Sequence, residues 1–289
     1  MAQGHSPLDH VIDHPTLDFP WGDFNLPLIG EFQITRFMVM EVVASLLIIV
    51  IVVPLARHIA KRPVTKGALY NAFEAILLYF RDQVVRPSIG AGHHDDGHGH
   101  DNHGHVTASA TLYMHSADRF LPFLWTLFFF ILFNNLLGLF PGGASATGNI
   151  NVTATLAVMT LSAVIIAGSR ELGVAGFWLG IVPNLDVPPL LKPGLWGLMF
   201  AIEVAGLFIK HIVLAVRLFA NMMAGHIVLA VILGFIELVY HSRLFYAVMP
   251  ASILGVVCLS LLELFVAFLQ AYIFTFLAAL FIGSAVHPH

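Results

Sequence analysis

Three ionisable residues lie seven positions apart in one long apolar segment of the C-terminal third of the sequence. They are Glu203, Lys210 and Arg217, and at 100° per residue each lies only about 20° around a helix from the one before it. An arginine at the centre of a membrane-spanning helix costs about 2.5–3.5 kcal/mol on insertion scales, so it normally faces protein or trapped water and has a function. For Glu203 and Lys210, a structural ion pair or a lysine that extends to the interface remains an alternative.

The last apolar segment carries one acid, Glu263, and one amide seven residues later, Gln270. Residues of an antiparallel hairpin lie at one height when their numbers sum to a constant, and the sum is 487 for Arg217 with Gln270 and 489 for His226 with Glu263. Two polar levels are therefore predicted, with the His226 level about 10–14 Å nearer the outer surface. Histidine titrates near neutrality, so a His–Glu pair suits proton transfer; a satisfied buried hydrogen bond is the alternative.

Small residues surround Arg217 along the same segment. Such residues let another helix approach a guanidinium closely, although they could equally pack within the hairpin; they are Ala215, Ala220, Ala224 and Gly225. Cys258 lies in an apolar helical run and is predicted to be a packed core residue.

The elements that position these residues are predicted to be membrane helices. Of the 289 residues, 58% are hydrophobic and 10% charged, against roughly 25% charged in soluble domains. The formal charge of -4 gives no reason to expect a nucleic-acid partner. The apolar runs predict an all-α polytopic membrane protein of about five transmembrane helices plus interfacial amphipathic helices. The last two segments exceed the roughly 17–25 residues of an upright span, so they are predicted to form a long tilted hairpin.

The order of the segments predicts a topology. Residues 1–35 are acidic and form an extracytoplasmic N-terminal segment, and residues 36–56 form the first transmembrane helix. Basic residues follow this helix and place its end in the cytoplasm by the positive-inside rule. Residues 57–116 are assigned to a cytoplasmic amphipathic helix, at 66–89, and a His-rich loop, and residues 117–289 to a membrane channel domain. The loop, at 93–105, is either a variable linker or a metal-responsive segment, and no metal site is assigned to it.

The strongest motif is the decapeptide Arg-Leu-Phe-Ala-Asn-Met-Met-Ala-Gly-His at 217–226. It resembles the signature of F-type ATP synthase subunit a, in which an arginine is followed by Leu-Phe-x-Asn-Met and then by a glycine-preceded acid or histidine. The segments Leu-Gln-Ala-Tyr-Ile-Phe at 269–274 and Asn-Ile-Asn-Val-Thr at 149–153 support the resemblance, which covers roughly residues 30–286.

The resemblance implies roles for individual residues. Arg217 resembles the stator arginine that faces the rotor ring, Gln270 its neighbour on the last helix, and Asn221 a polar residue that lines the channel. His226 and Glu263 resemble the outer half-channel pair, with acid and imidazole exchanged relative to many bacterial members, and Glu203 resembles the acid of the inner half-channel. The His-rich loop departs from the common pattern.

The resemblance also implies a function and partners. The chain is expected to be a non-catalytic, proton-conducting stator subunit, without catalytic residues or cofactors, that couples proton translocation to rotation and ATP synthesis. Expected partners are the c-subunit ring, the peripheral-stalk subunit b and the lipid bilayer. The sequence does not decide whether the coupling ion is H⁺ or Na⁺. The absence of a transit-like N-terminal segment favours the inner (plasma) membrane of a bacterium, with an organellar inner membrane as the alternative.

Two other classes of function are weaker. A secondary transporter with Arg217 binding an anionic substrate usually shows repeated halves, and the sequence has no second copy of the arginine motif. An intramembrane enzyme would need a nucleophile–base or metal constellation, and no His-Glu-x-x-His or Gly-x-Ser-x-Gly motif occurs.

Overall fold

Membrane-length helices dominate the structure. The computed structural model describes residues 16–19, 22–29, 32–60, 67–89, 116–140, 145–182, 192–240, 242 and 244–286, and the His-rich loop at 93–105 lies outside them. Within these residues, five helical stretches are long and apolar enough to cross a bilayer: Arg36–His58, Ala117–Leu139, Ile150–Leu172, Lys192–Ile236 and Phe245–Val286. The predicted all-α polytopic class is confirmed, and the number of candidate spans agrees with the sequence.

Two short β-hairpins precede the first helix and were not anticipated. Strands β1 (Thr16–Phe19) and β2 (Gly22–Asn25) pair antiparallel, with Thr16 opposite Asn25. Strands β3 (Leu28–Ile29) and β4 (Phe32–Gln33) pair in the same way. Two-stranded hairpins of this length add no core of their own, so they leave the fold class unchanged.

The first candidate span and the amphipathic segment each consist of two α-helices joined by a π-helical stretch. Helix α1 (Arg36–Leu47) leads through Ile48–Val52 into α2 (Val53–Ala60). Pro54 lies just beyond the π-helical stretch and lacks the amide hydrogen that an α-helix would donate to residue 50. Helices α3 (Ala68–Tyr79) and α4 (Arg86–Ile89) are joined in the same way through Phe80–Val85, which confirms the helix predicted for residues 66–89.

A helical pair follows. A 3₁₀ turn (Ser116–Phe120) leads into α5 (Leu121–Leu139), a second 3₁₀ turn (Ala146–Gly148) follows, and α6 runs over Ile150–Leu172. Gly173 adopts a φ of 77°, a left-handed conformation that suits glycine at the end of a helix. The short helix α7 (Val174–Gly180) comes next.

Two very long helices complete the described chain. Helix α8 spans Lys192–Val239, 48 residues, and α9 spans Phe245–Val286, 42 residues. At about 1.5 Å per residue they are about 72 and 63 Å long, against about 30 Å of hydrocarbon. Helices of this length cannot stand upright within the hydrocarbon, which is the physical basis of the tilt predicted from the sequence.

The chain forms two compact units. The first comprises residues 1–58, 126–161 and 206–274. In it, Phe37 and Met40 of α1 pack with Ala146 and Val152. Helices α5 and α9 meet at Phe128 and Phe268, whose ring centroids lie 5.8 Å apart in an edge-to-face arrangement that aromatic pairs prefer.

The second unit comprises residues 59–125, 162–205 and 275–289. The Arg86 guanidinium donates two hydrogen bonds to the Asp118 carboxylate, at 3.2 and 3.0 Å. The hydrogen bonds that Arg86 donates to the Asp118 carboxylate raise the pKa of Arg86. Arg119 forms an ion pair with Glu171, so charged pairs link α4 to the turn before α5 and that turn to the end of α6.

Candidate functional site

The register of α8 against α9 brings the predicted polar residues of the hairpin to the expected heights. A side-chain carbon at Gly225 would lie 2.8 Å from Cδ of Glu263, and one at Gly255 would lie 3.9 Å from Cγ2 of Ile232. The residue numbers of these neighbours sum to 488 and 487, within the range predicted from the sequence. The predicted antiparallel register is confirmed.

Arg217 lies on the exposed face of α8, away from the side that packs inside the first unit. Leu214, Leu218 and Met222 form the buried side of α8, each 1% exposed or less. The side chain of Arg217 is exposed, as is that of Val216. Within the part of the chain that the structure describes, no ion pair or hydrogen bond involves the guanidinium. A strong cation in an apolar helix is therefore presented to whatever surrounds the chain.

The small residues around Arg217 divide between two surfaces. Ala215 is 5% exposed and Gly225 is half-buried, and both face the interior of the first unit. Ala220 and Ala224 are exposed together with Arg217. Burial of Ala215 and Gly225 agrees with packing inside the first unit. For Ala220 and Ala224, room beside the guanidinium for another helix stays a prediction.

Glu263 is buried between the two helices. Its side chain is 6% exposed and lies over Gly225. Neither carboxylate oxygen has a hydrogen-bond donor among the described residues. A buried polar group in this state needs water or another donor. His226, the neighbour of Gly225, is partly buried, so the acid and the imidazole predicted for one level both lie close to this point of the hairpin.

Gln270 lies on the same buried side of α9. It is 5% exposed, and its Nε2 has no hydrogen-bond partner among the described residues. The register places it at the height of Arg217, but it faces inward, whereas Arg217 is exposed. Asn221, one turn beyond Arg217 on α8, is half-buried.

A buried polar network, which the sequence analysis missed, touches α9 between Glu263 and Gln270. The Asn135 amide donates to the carbonyl oxygen of Ala267 at 3.2 Å. The Thr147 hydroxyl donates to Asn135 Oδ1 at 2.6 Å, and Ser145 Oγ lies 2.8 Å from Thr147 Oγ1. We call Asn135, Ser145 and Thr147 the Asn135 network. The available signal was a pair of adjacent asparagines, at 134 and 135, inside an otherwise apolar segment.

The N-terminal half of α8 holds the remaining candidates. Glu203 is half-buried in the second unit, and Lys210 is exposed in the first. His211, which the sequence analysis did not single out, is 3% exposed, and its Nδ1 lies 2.8 Å from the carbonyl oxygen of Leu207. The prediction for Cys258 is wrong, because its side chain is exposed. In a helix that meets lipid, an apolar run does not indicate burial.

Comparisons with known proteins indicate the family to which this chain is similar. The family model described as "ATP synthase A chain" matches residues 104–283. ATP synthase subunit a of Chloroherpeton thalassium is 39% identical over 287 residues, which cover 96% of this chain and 76% of the relative. ATP synthase subunit a 2 of Chlorobaculum tepidum is 36% identical over 285 residues, or 96% and 72%. ATP synthase subunit a of Myxococcus xanthus is 38% identical over 262 residues, or 90% and 76%.

The matches include the helices that carry Arg217 and Glu263, so the resemblance drawn from the 217–226 motif is confirmed by comparisons over almost the whole chain. The three relatives come from different species and are named ATP synthase subunit a or subunit a 2. Together with five candidate membrane spans, these matches show that the chain belongs to the ATP synthase subunit a family.

Proposed function

We propose that the chain is the proton-conducting stator subunit of an F-type ATP synthase and that it works against a rotating ring of c subunits. The observation that carries this proposal is the position of Arg217. It lies inside the long apolar helix α8, and its side chain is exposed next to exposed Val213 and Val216. A cation so placed calls for an acidic partner on another chain.

The cost of leaving Arg217 in lipid supports a protein partner. An arginine at the bilayer centre costs about 2.5–3.5 kcal/mol on insertion scales and about 10–17 kcal/mol on an isolated helix in simulations. A carboxyl group on a neighbouring helix would offset much of this cost, since opposite charges attract strongly in a medium of low dielectric constant. Ala220 and Ala224, exposed on the same surface, let such a helix come close. The acid-bearing c subunit has the required chemistry.

The buried face of the hairpin supports an outer path for protons. Protons enter past Glu263 and His226 and pass to a carboxyl group on a c subunit, with Asn221 and Gln270 lining the way. The oxygens of Glu263 and Nε2 of Gln270 have no hydrogen-bond partner among the described residues. This favours water along the route, because buried polar atoms of natural proteins nearly always have a partner.

Arg217 separates this path from an inner one. After rotation of the ring, protons leave near Glu203, the acid of the proposed inner half-channel. A fixed guanidinium favours the ionised form of a passing carboxyl group, so it promotes proton release and opposes direct leakage between the two paths. A membrane potential of about 100 mV contributes about 2.3 kcal/mol for each charge that crosses, and several protons per turn then drive rotation and ATP synthesis.

The same proposal fixes a layout and partners. Residues 1–35 form an extracytoplasmic segment, residues 36–56 the first transmembrane helix, residues 57–116 the cytoplasmic amphipathic helix and His-rich loop, and residues 117–289 the membrane channel domain. The chain catalyses no covalent step, needs no cofactor and contacts subunit b as well as the c-ring. The bacterial relatives favour the plasma membrane of a bacterium.

A secondary transporter is the competing function, and the exposure of Arg217 argues against it. Transporters hold the substrate between helices at the repeat interface, near the bilayer midplane. In this chain the guanidinium lies on the outer surface of α8, away from the buried side formed by Leu214 and Leu218.

The test compares Arg217→Ala with Lys210→Ala, a matched loss of an exposed cation seven residues away on the same helix. ATP-driven acidification of inverted membrane vesicles is followed with a pH-sensitive dye, together with ATP hydrolysis and the amount of the chain in the complex. We expect Arg217→Ala to abolish acidification with the chain still present, and Lys210→Ala to retain it. Pumping by Arg217→Ala at the wild-type rate would remove the proposal.

A further inference from the structure

We infer that Gly225 is a positioning residue for Glu263: by lacking a side chain, it leaves a space on α8 that the Glu263 carboxyl group fills. The inference rests on the proposed role of Glu263 in the outer proton path. The inference also explains how the hairpin fixes the position of the Glu263 carboxyl group.

Backbone conformation gives no reason for a glycine at position 225. Gly225 lies within α8, and the described glycines with positive φ are Gly67 and Gly173. A glycine inside a helix costs about 0.5–1 kcal/mol relative to alanine. Two other glycines of α8, Gly206 and Gly234, have nothing within 4 Å of the place that a side-chain carbon would take. The surroundings of Gly225 are therefore specific to that position.

The space at Gly225 is occupied by one side chain. The three heavy atoms nearest to a side-chain carbon at this position all belong to Glu263: Oε1 is the closest, with Cδ at 2.8 Å and Cγ at 3.1 Å. None is a backbone atom. A methyl group at position 225 would therefore overlap the carboxyl group, and the flexible side chain of Glu263 would turn away before the two helices had to separate.

Among the described residues, packing against Gly225 rather than hydrogen bonding positions the Glu263 carboxyl group. Glu263 is 6% exposed, and neither of its oxygens accepts a hydrogen bond from a described residue. Proton transfer requires heavy atoms within about 2.6–3.2 Å or one bridging water, and a misplacement of about 1 Å can lower a rate by up to about 100-fold. Filling the space at Gly225 should consequently impair conduction more than it impairs folding.

This contact also bears on the exchange of acid and imidazole between positions 226 and 263, relative to many bacterial members of the family. The residue next to Gly225 is the imidazole, His226, and the acid reaches across from α9. An acid that approaches the α8 backbone from the opposite helix needs a missing side chain there. The glycine and the acid at 263 therefore form one functional unit.

The experiment uses four variants of the intact complex: Gly225→Ala, Gly234→Ala, Glu263→Asp and the double variant Gly225→Ala with Glu263→Asp. Gly234→Ala is the matched control, because it makes the same change in the same helix where space is open. ATP-driven acidification and its pH profile are measured in inverted vesicles, with ATP hydrolysis and the amount of the chain in the complex as references.

We expect Gly225→Ala to lower acidification about tenfold, in line with the cost of a displaced proton-transfer group, and Gly234→Ala to leave it unchanged. Aspartate is one methylene shorter, so adding Glu263→Asp to Gly225→Ala should raise acidification above that of Gly225→Ala alone and return the pH profile toward that of Glu263→Asp. If Gly225→Ala instead reduces the amount of the chain in the complex, recovery of that amount by Glu263→Asp supports the same contact.

Three results would overturn the inference: wild-type acidification by Gly225→Ala, an equal defect in Gly234→Ala, or no recovery in the double variant. A fifth variant, Glu263→Gln, distinguishes failure of the proposed function, because it would then pump normally. In that case the melting temperatures of the four variants still report on the contact. Coupled effects of the two substitutions would support it, and additive effects would refute it.

Discussion

The Asn135 network offers a quantitative prediction through Thr147. Its hydroxyl is fully buried, donates to Asn135 Oδ1 at 2.6 Å and lies 2.8 Å from Ser145 Oγ. Valine has nearly the same shape but no hydroxyl, so Thr147→Val removes both interactions and leaves Asn135 Oδ1 without this donor. The turn between α5 and α6 should open more easily as a result.

The expected magnitude follows from the number of interactions removed. A buried acceptor that loses its donor costs about 1–3 kcal/mol in soluble proteins, whereas hydrogen bonds between membrane helices average about 0.6 kcal/mol and reach about 1.7 kcal/mol. Two such bonds give about 1–2 kcal/mol, which is a factor of about 5–30 in an equilibrium constant. The open population of the turn should increase by that factor.

Native-state proteolysis in membranes measures this population, because the cleavage rate follows the open fraction when reclosing is fast. We expect cleavage between residues 140 and 150 to become about 5–30 times faster in Thr147→Val. Thr155→Val is the matched control, since the Thr155 hydroxyl is exposed and donates to the backbone oxygen of Asn151, at 2.8 Å. Equal cleavage rates for the two variants would refute the role of the network.

Two further predictions concern Gly138 and Asp82. A side-chain carbon at Gly138 would lie 2.9 Å from the Cα of Ser145, whereas one at Gly148 would have open space around it. Gly138→Ala should therefore destabilise the turn between α5 and α6 by about 1–3 kcal/mol, and Gly148→Ala should not. The same proteolysis experiment measures both effects. The hydrogen bond from Arg81 lowers the pKa of Asp82 below its ordinary value of 3.8. The small stability that exposed Asp82 contributes is thus present above this value and lost as the pH falls through the lower folded-state pKa. Asp82→Asn should lose this part of the pH dependence of the melting temperature, and an unchanged profile would contradict the prediction.

Features that depend on the length of apolar segments and on the spacing of polar residues along a helix could be predicted from the sequence. The existence and excess length of α8 and α9 follow from long, mainly apolar segments, and the register of the hairpin follows from the spacing of Arg217, His226, Glu263 and Gln270. Each helix of such a hairpin advances by the same rise per residue, so two polar pairs with nearly the same sum define the alignment. The contact of Glu263 with Gly225 agrees with that arithmetic.

Features that depend on the direction of a side chain could not be predicted in this way. Arg217 and Gln270 share a height, yet one is exposed and the other buried. The contact between Asn135 and Ala267 joins residues 132 positions apart, and no periodicity relates them. Lipid-facing and protein-facing surfaces of membrane helices are both apolar, which is why the exposure of Cys258 was also missed.

The ion pair between Arg86 and Asp118 bears on how this family can diversify. It joins residues 32 positions apart in sequence, and the histidine-rich stretch at 93–105 falls between them. The residues on either side of that stretch, Arg86 and Asp118, are joined directly by this ion pair. Doubling the length of a connection between two joined ends costs only about 0.6 kcal/mol of closure entropy. We therefore expect changes in the length of this stretch to leave the Arg86–Asp118 pair in place.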